Sequence, residues 1–236
     1  MINVPDLGDG FHEMWMTLID LARVKPVPWT LIGAHMVALH GWSLGQDQIR
    51  PSRDADMLVN VRAVTNGTEQ LSLRLVSQGF ELDGFSPEGV GHRFKRGDVS
   101  LDVLAPDGLG AKANVRTIEG AHTVRVPGGT QALRRSANVI VRTRDEDGEV
   151  PVPSLLGALL VKIRAIGVDD SPDAQREDVA FLLSLISDPE VLVADMSKAE
   201  RGWLRTHSDF GDPSSRCYGR IENAEDAAIV FARLTG

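Results

Sequence analysis

The sequence predicts an α/β fold: a small mixed sheet flanked by helices, followed by an all-helical part. Three patterns carry that expectation. Up to about residue 153, short apolar and β-branched runs alternate with segments of helical period. Beyond Pro153 every periodic segment is helical. Within the first part an acidic pair, Asp54 and Asp56, leads into Met57-Leu58-Val59-Asn60-Val61, which reads as a strand. The expected division is therefore a sheet-bearing core over 1–153 and a helical part over 154–236.

The composition sets bounds on these elements. A chain of 236 residues with 42% hydrophobic and 25% charged residues is long enough for a sizeable core, in one large domain or two small ones. A net charge of -8 gives no overall attraction to nucleic acid. The single Cys217 excludes an intramolecular disulfide and multi-cysteine zinc sites. No apolar run approaches the roughly 18 residues of a membrane span, and the first ten residues carry acids but no basic stretch. No membrane partner and a cytoplasmic location are expected.

The elements follow in order. Phe11, Trp15, Leu18, Ile19 and Ala22 recur at spacings of three and four, predicting a helix over 10–24 that Pro26 and Pro28 end. Residues 29–32 read as a strand and 34–40 as a helix, with Gly33 between them. A glycine there serves either a tight turn or the approach of a phosphate to the helix N-terminus. His35 and His40 are five apart, the wrong spacing for paired helical ligands, but His35 lies in the first turn, where it can face a nucleotide. Residues 41–53 form a polar loop carrying Arg50, Ser52 and Arg53 up to the acids. An arginine beside two carboxylates is either a structural ion pair or a phosphate holder.

A helix is expected over 66–77, with Thr65 or Asn66 as cap and Gly79 as its end. A strand is read over 80–85, then a hairpin of 92–95 and 99–104 around Arg96-Gly97-Asp98. Asp102 is an acid inside an apolar strand, so it requires a partner, a metal or an exposed face. Asp107 reads as a turn residue. Residues 115–126 and 137–144 read as strands, with a charged turn at 145–148. Arg134, Arg135, Arg142 and Arg144 form a local basic cluster, either a solvated face or a nucleic-acid contact.

In the second part Ser154 caps a helix over 155–166 that Gly167 closes, with Lys162 among Leu159, Leu160, Val161 and Ile163. Ser171-Pro172 is a helix start, and a helix over 175–186 contains Arg176-Glu177-Asp178. Ser197 and Glu200 have capping-box spacing before a helix through Trp203, and Asn223 caps a last helix to Leu234.

The chemistry centres on Asp54 and Asp56. Side chains two apart on a strand share a face, so the two carboxylates aim into one space. Nearby carboxylates repel; a shared proton or an oxygen-loving divalent cation relieves the conflict.

Taken together these segments resemble the nucleotidyltransferase superfamily, in particular the toxin-type branch of the AbiEii abortive-infection proteins and mycobacterial MenT toxins. The resemblance spans residues 29–186. It rests on Leu31-Ile32-Gly33-Ala34-His35, then Arg50-Pro51-Ser52-Arg53-Asp54-Ala55-Asp56, then Asp102 in a later strand, Lys162 in an apolar helix and Asp178 opening the next. The family's first motif usually carries Gly-Gly or Gly-Ser; here it is Gly33-Ala34-His35.

The resemblance implies a catalytic core over 1–153 and a helical part that closes the cleft. It implies Mg²⁺ held by Asp54, Asp56 and Asp102, and a nucleoside triphosphate bound by Gly33, Ala34, His35, Arg50, Ser52, Arg53 and Lys162. Asp54, Asp56, Asp102, Lys162 and Asp178 would form the catalytic set. A nucleoside monophosphate would pass to an acceptor hydroxyl, in the toxin branch typically on tRNA, seated on the Arg134–Arg144 cluster. A cognate antitoxin is an implied partner. The alternatives are a nucleotide-binding pseudoenzyme acting through protein contacts and a nucleotidyltransferase acting on a small molecule such as an antibiotic.

Overall fold

The computed structural model describes residues 1–47, 52, 54–111 and 113–236. Strand β1 (Ile2–Asn3) precedes helix α1 (Asp9–Val24), strand β2 (Trp29–Ile32) and helix α2 (Gly33–Ser43). Strand β3 (Asp54–Val59), helix α3 (Gly67–Ser77), and strands β4 (Glu81–Leu82), β5 (Arg93–Arg96), β6 (Val99–Pro106) and β7 (Arg125–Val126) follow. Helix α4 (Gly129–Arg134) leads to strands β8 (Ser136–Arg142) and β9 (Asp147–Pro153). The remainder is helical: α5 (Leu155–Ala165), α6 (Pro172–Ser184), α7 (Pro189–Asp195), α8 (Lys198–Arg205) and α9 (Ala224–Thr235), with two short 3-10 turns before α9.

The main sheet is mixed, in the order β2-β3-β6-β5-β4, with β7 pairing the far end of β6. Strands β3 and β6 are parallel, while the β2–β3, β5–β6 and β4–β5 pairs are antiparallel. A second sheet, β1-β8-β9, lies beside the first. Thr30 on β2 joins the two: its hydroxyl donates to the Pro151 carbonyl at 3.2 Å and accepts from Ser136 Oγ at 2.8 Å.

Strands β3 and β6 are central because their sequences are apolar on both faces, as parallel strands buried on both sides require. Helix α1 packs against β9 and β6 through Trp15, Leu18 and Ile19, all fully buried. Helix α5 packs against α4 and α6, and α6 also meets α2. One hydrophobic core takes in residues from both sides of Pro153, Leu101 and Leu31 together with Leu159 and Leu182.

Most of the expected elements are present. The cap signals act as read at two helices: Ser154 Oγ accepts from Gly157 N, and Ser197 with Glu200 makes a complete capping box. Asn223 stands at the start of α9, but its amide donates to the Ser184 carbonyl instead of capping.

Four expectations are corrected. Residues 115–126 are not a continuous strand. Only Arg125–Val126 pairs as one, and the rest makes isolated bridges at Arg116 and His122. Scattered backbone bonds such as His122 N to the Gly89 carbonyl are joined by side chains, Thr117 donating to the Gly91 carbonyl and Thr123 to the Val103 carbonyl, each at 2.6 Å. The strand expected over 80–85 shrinks to Glu81–Leu82. Residues 147–153 form strand β9 despite Pro151 and Pro153, in register with β8, because β8 is its only ladder partner and its other edge needs no donors. Asp107 does more than turn the chain: its carboxylate accepts from Gly128 N at 2.9 Å and Thr130 N at 3.1 Å, anchoring the start of α4.

Helix α8 is tied to the rest through Arg135, whose guanidinium donates to Glu200 Oε1 at 2.9 Å and to Asp195 Oδ2 at 2.8 Å. Glu200 is buried, and the hydrogen bonds from Arg135 and Ser197 outweigh its desolvation to hold its pKa below the usual carboxylate value. Removing one member of such a pair leaves the other charge without its partner. Glu200→Ala should therefore cost about 3 kcal/mol and lower the midpoint in a thermal melt by several degrees. Arg134→Ala, at an exposed position, should leave the melt within about 1 °C.

Candidate active site

The site is built on the parallel register of β3 and β6. Asp54 lies opposite Ser100 and Asp56 opposite Asp102. Residues two apart on each strand share a face, so three carboxylates from adjacent strands converge. The antiparallel pairing of β5 with β6 sets Arg93 opposite Asp102. Its guanidinium grips both carboxylates: Nε donates to Asp102 Oδ1 at 2.8 Å, and Nη2 donates to Asp102 Oδ2 at 2.8 Å and Asp54 Oδ2 at 2.9 Å. These bonds push the guanidinium's already high pKa further up, with Asp102 as the main cause. Ser52 Oγ donates to the Asp54 carboxylate. His92 Nε2 stands 3.8 Å from Asp102 Oδ2.

Among the described residues Asp56 is the member that accepts no hydrogen bond, and its environment shows it. Desolvation comes first, the Asp102 and Asp54 charges next, and together they raise its pKa to about 7; Lys162 and Arg93 oppose the shift.

Gly33 explains how Asp56 is enclosed. Its φ is +72°, and a Cβ built there would stand 1.8 Å from Asp56 Oδ2. Glycine is required both by the backbone and by the carboxylate lying against the first turn of α2. That turn supplies unpaired backbone N–H groups and the positive end of the helix.

Lys162, on α5, is 5% exposed. Its ammonium donates to Asp178 Oδ2 on α6 at 2.7 Å and to Gln175 Oε1 at 3.0 Å. The helical part thus brings a buried cation to the carboxylates, close enough to act on Asp56, and Asp178 holds that cation in place.

Other expected residues lie elsewhere. His35 is 2% exposed, edge-on to the rings of Phe11 and Trp15. Burial lowers its pKa to about 4, and neither ring nitrogen has a protein partner. It is buried where the third position of α2 packs under α1, yet near enough to Asp54 for that charge to oppose the shift. Ala34 is also buried. Arg50 and Arg53 lie outside the described residues. The basic cluster is largely neutralised: Arg135 pairs with Glu200 and Asp195, Arg142 with Asp147, and Arg144 with Asp9 at 2.9 Å. Arg134 is exposed and makes no ion pair among the described residues.

Sequence reasoning missed Arg93, although the signal for it was present. With Gly97-Asp98 as a two-residue turn, counting back along the hairpin pairs 96 with 99, 95 with 100 and 93 with 102.

The carboxylates are an all-oxygen donor set of the kind a hard divalent cation takes. Among the described residues, no group of three His, Cys, Asp or Glu side chains stands ready to hold a metal ion; the cation that Asp54 and Asp102 share is Arg93.

Two outcomes follow. The folded chain binds the Asp56 proton more tightly than the unfolded chain. The stabilisation this proton gives is complete below pH 4 and is lost as pH rises to about 7. Without divalent cations, Asp56→Asn should raise the melting temperature, by more at pH 8 than at pH 5 and with a plateau above pH 7. Gly33→Ala should cost about 2 kcal/mol. A double-mutant cycle with Asp56→Ala, which removes the clashing oxygen, should recover part of that loss.

No protein-family model matches the chain, and no curated protein matches it. Among solved structures, the crystal structure of an antigenic nucleotidyltransferase-like protein from Paracoccidioides brasiliensis is similar at a TM-score of 0.53 and 14% identity, covering 92% of this chain and 93% of the other. The solution structure of the antibiotic-resistance factor ANT(2'')-Ia is similar at a TM-score of 0.45 and 15% identity, covering 84% and 96%. With the sheet order and flanking helices described above, the first of these likenesses shows that the chain has a nucleotidyltransferase-like fold.

Proposed function

We propose that the chain is a Mg²⁺-dependent nucleotidyltransferase that moves a nucleoside monophosphate from a nucleoside triphosphate to an acceptor hydroxyl. One observation carries the reading: Asp54, Asp56 and Asp102 converge from two parallel strands, beside a glycine-started helix and within reach of Lys162, on a nucleotidyltransferase-like fold.

Asp54, Asp56 and Asp102 would hold the Mg²⁺, which screens the triphosphate charge and favours pyrophosphate as leaving group. The chain's own groups do the rest. Gly33 lets Asp56 lie against the first turn of α2, whose N-terminal N–H groups attract phosphate oxygens. Lys162 adds a fixed positive charge, oriented by Asp178 and Gln175. The acceptor oxygen attacks the α-phosphorus, the bond from that phosphorus to the bridging oxygen breaks, and pyrophosphate leaves. Asp102 takes the hydroxyl proton. Positioning and charge supply most of the rate, as in phosphoryl transfer generally.

The acceptor we favour is the end of a tRNA, as in the toxin-type branch that the motifs resemble, with an antitoxin as the natural restraint. The neutralised Arg135, Arg142 and Arg144 give this acceptor little of the basic surface expected for it, so a small hydroxylated molecule is the second acceptor class.

The test is transfer of label from each α-³²P-nucleoside triphosphate, with Mg²⁺, to total tRNA and separately to small hydroxylated acceptors. Wild-type protein should transfer label, and Asp102→Asn and Asp56→Asn should each reduce transfer at least 100-fold while staying folded. Triphosphate binding that needs Asp56, with no transfer to any acceptor, would mark a nucleotide-binding protein instead.

A further inference from the structure

Resting on that reading, we propose that Arg93 is a positioning residue that competes with the divalent cation: it holds the carboxylates while the metal is absent and must release them for the metal to bind. The geometry is that of a substitute cation. Its guanidinium takes both oxygens of Asp102 and Oδ2 of Asp54, all within 2.9 Å. These belong to the same oxygens that a shared cation would need. Asp56 receives no such bond, so the arginine neutralises two of the three acids.

Two features separate Arg93 from a purely structural ion pair. Its side chain is 41% exposed, whereas Asp102 beneath it is 5% exposed. The arginine therefore covers Asp102 from the solvent side, while Asp54 beside it keeps 34% of its side chain exposed. It also lines an open cavity of about 420 Å³ with Asp83, Phe85, Ser86 and His92. A long side chain with four rotatable bonds can swing into that space without unfolding strand β5. A guanidinium keeps its charge at every working pH, so it cannot yield by losing a proton. A second cation at hydrogen-bonding distance from the same oxygens would meet its full repulsion. Metal and arginine therefore exclude each other at Asp54 and Asp102, and the metal-free site stays closed to stray divalent ions.

The test reads metal binding and arginine exposure without any nucleotide, so it stands apart from the transfer assay. Mn²⁺ binding is followed by electron paramagnetic resonance in wild type, Arg93→Ala, Arg93→Lys and the double variant Arg93→Ala/Asp56→Asn. Arg93→Ala should bind Mn²⁺ at least tenfold more tightly than wild type, with Arg93→Lys between them, and the double variant should lose the gain. In wild type, where folding is not in question, Mn²⁺ should speed modification of Arg93 by phenylglyoxal several-fold, read by peptide mass. Equal or weaker Mn²⁺ binding by a folded Arg93→Ala, or unchanged or slower modification of Arg93, would overturn the proposal. Failure of transfer with these results intact would overturn only the enzymatic reading.

Discussion

The site depends on the parallel pairing of β3 with β6. That register sets Asp56 against Asp102 and places Asp54 one pleat away on the same face. Three carboxylates so close create a charge that the fold must answer. It does so in three ways: a raised pKa at Asp56, a guanidinium across Asp54 and Asp102, and a buried ammonium arriving from the helical part. Slipping β3 by one residue would turn its acids to the other face and leave Arg93 with Asp102 alone.

The helical part is coupled to the sheet by the same electrostatics. Lys162 lies in an apolar stretch of α5, where an unpaired ammonium would be costly. Asp178 and Gln175 on α6 satisfy it, so the α5–α6 packing and the position of the cation are one feature. Buried ion pairs of this kind add little net stability, but they oppose any arrangement that separates their partners. Glu200 and Arg135 do the same for α8. Two polar pairs thus fix how helices sit on a sheet that apolar contacts alone would orient less strictly.

Much of this was legible in the chain. Strand β2 and helices α1, α3, α5 and α8 fall close to where periodicity and caps put them, because each carries its own local signal: spacing, a capping hydroxyl or a terminating glycine. Strand β9 was not legible, since Pro151 and Pro153 argue against a strand and only its edge position tolerates them. Residues 115–126 read as a strand because they are β-branched, yet their threonines bond to neighbouring carbonyls one at a time. The basic cluster looked available because the partners Asp9, Asp195 and Glu200 lie far off in sequence.

What the sequence by itself determined is local and periodic. It set the face that Asp54 and Asp56 share, the turn at Gly33 before α2, and, through the Gly97-Asp98 turn, the partnership of Arg93 with Asp102. Each follows from residue spacing within one segment or one hairpin. The tertiary structure alone decided which strands became neighbours, that Lys162 turns inward to Asp178, and that His35 is buried under α1. These outcomes follow from packing and desolvation between segments distant in the chain, which residue spacing does not encode.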